Sequence, residues 1–198
     1  MSVPGLRQRK KEQTREAIAS AALDLFERKG FHATTIRDIA EAADVAPRTV
    51  SGYFPAKEQL VFDGYEELFT DLEQRLTARD AGTTTADALR AFLHEIAEPP
   101  KDAERVRRLR ALVEAEPALR AFERAVQERA ERIVADAAAV DLGVDADSLL
   151  PHMVGAATVA ALDALGRHMK DGDDVDEGRR LIDDAMTFIG GGVRALRG

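Results

Sequence analysis

Residues 34–54 read TTIRDIAEAADVAPRTVSGYF. Thr35 with Asp38 three residues on forms a Thr-x-x-Asp capping box, which opens a helix, and Ile36, Ile39 and Ala40 fall on its inward face. Asp44 stands in the turn, a residue type that tolerates left-handed backbone better than most. Val45 follows as a buried turn residue, and Pro47 suits the first turn of the next helix. Val50 and Phe54 give that helix its inward face. Two short helices, at about 35–43 and 47–53, joined by a tight turn are the sequence form of a helix-turn-helix. Taken alone, the pattern also fits an ordinary helical hairpin within a bundle.

Two neighbouring features favour DNA. The second helix presents Arg48, Thr49, Ser51, Gly52 and Tyr53 outward, and Arg48 and Thr49 have the length and donors to meet phosphates or base edges in a major groove. Upstream, Arg7, Arg9, Lys10 and Lys11 form a basic arm, which supplies sequence-independent attraction to phosphate. Between arm and motif, Ile18, Ala21, Ala22, Leu25 and Phe26 make one apolar stripe, predicting a helix from about Thr14 to Lys29 that is capped by Gly30.

From about Thr14 to Leu60 the chain resembles the N-terminal domain of the TetR family of bacterial transcriptional regulators. The matching pieces are AALDLFERKGFHATTIRDIAEAADV, RTVSGYF and PAKEQLV. The resemblance implies that Thr35 and Arg37 sit near the DNA backbone. It implies that Arg48, Thr49, Ser51 and Tyr53 line the recognition helix, and that Lys57 touches a phosphate. Three positions depart from the usual pattern. Asp44 replaces a turn glycine, Ala46 a serine cap, and Gly52 a position that is frequently basic. The resemblance carries no specificity beyond about residue 65.

Composition sets the rest of the frame. The 198 residues carry a net charge of −8, but residues 1–60 have a balance of +2 and the remainder −10, so the acidity lies outside the motif. Cysteine is absent, which removes disulfides, thiolate metal sites and a cysteine nucleophile. No apolar run is read as approaching the roughly 20 residues that span a bilayer, and no apolar segment follows the basic N-terminus as in a secretory signal. A cytoplasmic location follows as the expectation.

The fold class expected is all-α, with about nine helices. A helix-turn-helix DNA-binding domain covers residues 1–56, ordered from about 12. A helical effector-binding and dimerisation bundle covers 57–198. Helices are predicted at about 56–79, 84–97, 102–114, 117–139, 147–170 and 174–196. The helix at 147–170 is apolar on two sides. Leu150, Met153, Val154, Ala157, Ala161 and Leu165 are read as its core stripe. Gly155, Val159, Leu162 and Gly166 are read as a second stripe against a partner copy, making an isologous homodimer.

An effector pocket would draw on Phe92, Ile96, Leu109, Phe122 and Val126. Arg110 and Arg129, at the edges of apolar stripes, would receive the negative group of a lipophilic effector. Core packing accounts for the apolar members equally well, and arginines at such edges usually snorkel to water.

Enzyme signatures are missing. There is no G-x-S-x-G elbow, P-loop or H-E-x-x-H, and DGDDVDEG at 171–178 has the wrong residues for a calcium loop. No catalytic residue, metal or cofactor is expected. The sequence therefore reads as a homodimeric regulator that binds a pseudo-palindromic operator and is released by a small molecule. Activation instead of repression, and more remotely a small all-helical enzyme, are the alternatives.

Overall fold

In the computed structural model, residues 5–96, 103–168 and 175–196 are described. Among them are nine α-helices and no strand: α1 (Leu6–Lys29), α2 (Ile36–Ala42), α3 (Pro47–Tyr53), α4 (Tyr65–Thr77), α5 (Thr85–Ile96), α6 (Ala103–Ala115), α7 (Pro117–Leu142), α8 (Leu149–His168) and α9 (Val175–Leu196). The acidic loop of the calcium-like run falls at 169–174, outside the described residues. The chain divides into two compact units. One runs to Gly64 and takes in Glu104–Glu123. The other holds the described residues from Tyr65 up to α6, and those from Arg124 onward.

The first unit is built on the predicted α1 stripe. Ile18, Ala22, Leu25 and Phe26 are buried, and they meet Ile39, Ala40, Val50 and Phe54 from α2 and α3. Gly30 ends α1 with φ 85°, its N–H donating to the Phe26 carbonyl at 2.9 Å. The side chain of Thr34, 1% exposed, donates to the Gly30 carbonyl at 2.8 Å, which fixes the turn into α2. Asp44 adopts φ 52°, the left-handed geometry expected of it. Val113 and Leu119 complete this core, and the Phe62 and Phe122 rings pack 5.1 Å apart.

Two boundaries differ from expectation. α1 begins at Leu6, so the basic arm is the first part of a helix. The predicted long fourth helix is broken: a 3-10 turn at Lys57–Leu60 precedes Gly64, whose φ of 86° ends the segment before α4 starts. That conformation favours glycine and interrupts the helical run.

The second unit packs α4, α5, the latter part of α7, α8 and α9 around Phe69, Leu76, Leu89, Phe92, Val134, Ala138, Val154, Ile182 and Met186. A polar clasp holds one end. Arg79 Nη2 donates to the Ala137 carbonyl and to Asp141 Oδ1, each at 3.0 Å, while the Thr85 N–H donates to Asp141 Oδ2 at 2.7 Å. Burial pushes the Asp141 carboxyl up, but the Thr85 N–H and the Arg79 guanidinium outweigh it and hold it below its ordinary value.

α8 corrects the sequence reading of its faces. Gly155 turns inward, because a Cβ there would collide with the backbone carbonyl of Glu131 on α7, and Leu162 packs against the unit's own core. Val159 and Gly166 are half-buried. Conversely Met153 and Ala157, placed on the core stripe, are exposed. Leu149 is 73% exposed, Met153 54% and, on α9, Phe188 74%. By length and composition alone, Leu149–Arg167 is apolar enough to cross a membrane, with a mean hydropathy of 1.4. That too departs from the sequence expectation of no such run. His152, Asp163 and Arg167 are exposed along the same helix.

Candidate nucleic-acid interface

The capping box that opens α2 forms in full. Asp38 N–H donates to Thr35 Oγ1 at 3.1 Å, and Thr35 N–H donates back to Asp38 Oδ2 at 2.9 Å. The Thr35 hydroxyl also donates to Asp38 Oδ2, and Lys29 lies 3.0 Å from Oδ1. The Thr35 N–H, the Thr35 hydroxyl and Lys29, in that order, bring the Asp38 carboxyl down to about 2. The box fixes the entry to α2 and leaves Arg37 exposed in the first turn of the helix.

The recognition helix α3 follows from Pro47 at its first position and the buried pair Val50 and Phe54. Burying 50 and 54 turns 48, 51 and 52 out: Arg48, Ser51 and Gly52 are exposed, and Thr49 and Tyr53 are half-buried. Tyr53 packs against the core with its ring 6.5 Å from Phe54.

The arm residues Arg7, Arg9, Lys10 and Lys11 are all exposed on α1. Three of them meet the recognition helix: Gly5, Arg7, Lys10, Lys11, Thr14 and Tyr53 line one open groove with no carboxylate among them. α1 begins without a side-chain cap or an acidic residue in its first turn. Cations at a helix N-terminus oppose its dipole, so an anion placed there gains from both. Thr14 and Gly5 were not singled out from the sequence. The signal for Thr14 is helical spacing, since it lies three and four residues beyond Lys11 and Lys10 on one face, while Gly5 is the residue that precedes α1.

Lys57, expected at a phosphate, has partners within the fold. Its ammonium donates to the Phe31 and Thr34 carbonyls at 2.6 and 3.1 Å and lies 4.3 Å from the centre of the Phe31 ring. Lys57 thus ties the 3-10 turn to the α1–α2 turn.

The residues expected at an effector pocket are divided between the two units. Leu109, Arg110 and Phe122 belong to the first unit, where Leu109 and Phe122 pack against its core. Phe92, Ile96, Val126 and Arg129 belong to the second. There Phe92 is core, Ile96 is 44% exposed and Val126 packs beside the core. Arg129 is paired with a carboxylate of its own unit, 2.5 Å from Glu66, and lies 5.1 Å from the centre of the Phe69 ring. Arg110 is exposed. A recess of about 450 Å³ in the second unit is lined by none of the seven residues; Glu73, Arg79, Asp136 and Asp141 are among those that form it. His94, expected to face solvent, lies 2.9 Å from Asp183 and is partly covered.

Residues 18–63 match the family model for the N-terminal region of bacterial regulatory proteins of the tetR family. Residues 83–194, more than half the chain, match the MftR C-terminal domain model. The chain belongs to the TetR family of bacterial transcriptional regulators.

Among its relatives, TcmR of Streptomyces glaucescens is 34% identical over 101 residues, 51% of this chain and 45% of that protein. RutR of Escherichia coli K12 is 46% identical over 56 residues, 28% of this chain and 26% of RutR. The chain thus spans less than half the length of these relatives. In fold it is similar to SmeT, solved as a triclosan complex, with a TM-score of 0.59, 20% identity and 91% of each chain covered. It is also similar to GusR of Salmonella enterica, with a TM-score of 0.57, 19% identity and 92% and 96% covered. Membership of the TetR family assigns α2 and α3 as its helix-turn-helix.

Proposed function

We propose that this TetR-family chain is a homodimeric transcriptional repressor that acts in the cytoplasm, binds a pseudo-palindromic operator, and is released by a small-molecule effector. The observation that carries the DNA-binding part is the groove in which Arg7, Lys10 and Lys11 meet Tyr53 of the recognition helix. Phosphate contacts from α1 set the register, while Arg48, Thr49 and Ser51 face the base edges. The dimer is supported by the apolar residues that α8 and α9 leave uncovered, Leu149, Met153 and Phe188. A second copy covers them in two-fold symmetry and sets the half-site spacing. An effector bound to the second unit acts by shifting populations between states that fit and do not fit that spacing.

The test is equilibrium binding to a duplex recovered from a random-sequence pool by the protein itself, across a salt series. A steep negative slope of log affinity against log salt is expected, reduced by about one when Lys10 is changed to alanine. Failure to enrich any duplex, or a flat salt response, refutes the reading.

A further inference from the structure

We propose that Gly52 is a close-approach point of the recognition helix, where main chain and not side chain meets the DNA and sets how deeply α3 seats. Two helical glycines among the described residues are explained by tight packing in the fold. A Cβ at Gly155 would meet the Glu131 carbonyl, and one at Gly190 would lie 3.2 Å from Ala86 Cβ. Gly52 has no such neighbour: a Cβ there meets nothing within 4 Å. Nor does its backbone require glycine, since its φ is not positive, unlike those of Gly30, Gly64, Gly82 and Gly143. Within the protein a Cβ at position 52 meets no neighbour, and most other residues favour the helix more than glycine does.

Its surroundings indicate what approaches. Gly52 is exposed, lies one helical turn beyond Arg48 and adjoins Ser51, so the outward strip of α3 begins with a long cation and then falls to minimal bulk. The groove lined by Arg7, Lys10, Lys11 and Tyr53 gives the same unit its attraction for phosphate. On a helix entering a major groove, such a profile lets the bare backbone at 52 come against the groove wall. Arg48 and Ser51 then reach base edges at a depth that a side chain at 52 would forbid. Gly52 becomes a specificity-determining position through the volume it leaves empty. The inference depends on the DNA-binding reading above.

The experiment compares Gly52→Ala and Gly52→Arg with the wild type, on the wild-type-selected duplex and on a scrambled duplex, alongside thermal unfolding of the DNA-free protein. Gly52→Ala is expected to keep or raise the melting temperature, by about 2 °C at most, yet weaken binding to the selected duplex at least tenfold. Gly52→Arg is expected to lose the preference for the selected over the scrambled duplex despite its added charge. Unchanged affinity in Gly52→Ala, or tighter and still selective binding in Gly52→Arg, overturns the proposal, because position 52 then faces open space. A lowered melting temperature in Gly52→Ala overturns it differently, by showing that the glycine serves the fold. Absence of any selected duplex for the wild type sinks the DNA-binding reading itself, so the two failures are distinguishable.

Discussion

Arg108 on α6 grips Glu27 on α1 through two parallel hydrogen bonds, from Nε at 2.8 Å and Nη2 at 2.7 Å, across 81 residues of sequence. The same Nη2 reaches Asp24 at 2.5 Å, and Asp24 and Glu27 share one face of α1 at a spacing of three. The Arg108 side chain draws the Glu27 carboxyl below its ordinary value. Nearby, His32 and the half-buried Glu116 lie 3.0 Å apart, and Glu116 also accepts the Ala118 N–H at the start of α7. α6 and the opening of α7 are thereby fastened to the helix-turn-helix and belong to its unit.

Because Arg108 and Glu27 remain 31% and 38% exposed, solvent and salt screen the grip. Arg108→Ala is expected to cost about 1 kcal/mol at low ionic strength. The loss should shrink toward zero at high salt, as measured by urea unfolding in a salt series. A loss that salt leaves unchanged would show that Arg108 acts through packing of its stem.

The Arg79–Asp141 clasp differs in burial, with side chains only 11% and 8% exposed. Asp141→Asn leaves the guanidinium unpaired in a covered site and is expected to cost about 3 kcal/mol. The pH dependence has a defined sign. The native carboxyl titrates below its ordinary value of 3.8, so its contribution is whole above that pH and is lost as pH falls through the lower native value. Denaturant unfolding of wild type and Asp141→Asn should converge as the pH drops below about 4. A constant gap across that range would assign the loss to packing alone.

Much of the first unit was legible because short-range rules decide it: the capping box, the left-handed Asp44, Pro47 and the α1 stripe all act within one or two turns. What was not legible depends on distant partners. Lys57 carries a charge near a DNA-binding motif and reads as a phosphate ligand. Its fate is set by the Phe31 and Thr34 carbonyls, 26 and 23 residues away, which local pattern does not bring together. The helical start of α1 at Leu6 carries no side-chain cap to announce it in the sequence. Phe92, Leu109 and Val126 lie on apolar stripes, and such stripes mark cores as readily as pockets.

Lys57 gives a direct contrast with the arm. Lys57→Met removes two charge-assisted hydrogen bonds to carbonyls and is expected to lower stability by about 2 kcal/mol. The salt slope of DNA binding is expected to stay unchanged if the wild-type ammonium keeps its carbonyl partners in the complex. Lys11→Ala is expected to do the reverse, reducing the slope by about one with little effect on unfolding. Thermal melts and a salt-dependent binding series on both variants separate the roles. A reduced slope in Lys57→Met would return Lys57 to the interface.

α8 shows why sequence can find two apolar faces on a helix without telling which one the chain's own core covers. Its apolar residues surround the helix, so the pattern says that both sides are covered without saying which side meets the chain's own core. The Glu131 carbonyl beneath Gly155 settles the rotation, leaving Leu149 and Met153 of α8, and Phe188 of α9, on exposed surface. Open positions on α9 lie on the same side: Gly192, one turn past Phe188, has nothing within 4 Å of a Cβ. Two substitutions therefore separate subunit stability from association. Gly155→Leu must displace backbone of α7 and is expected to destabilise the subunit by several kcal/mol, on the order of an overpacked core. Met153→Glu, already exposed, should leave helicity and unfolding of the isolated subunit intact while placing like charges across a two-fold interface. It is expected to sediment as a monomer at micromolar concentration and to lose most operator affinity, because one half-site supplies only part of the contacts. A Met153→Glu protein that remains fully dimeric would move the association surface away from the exposed side of α8.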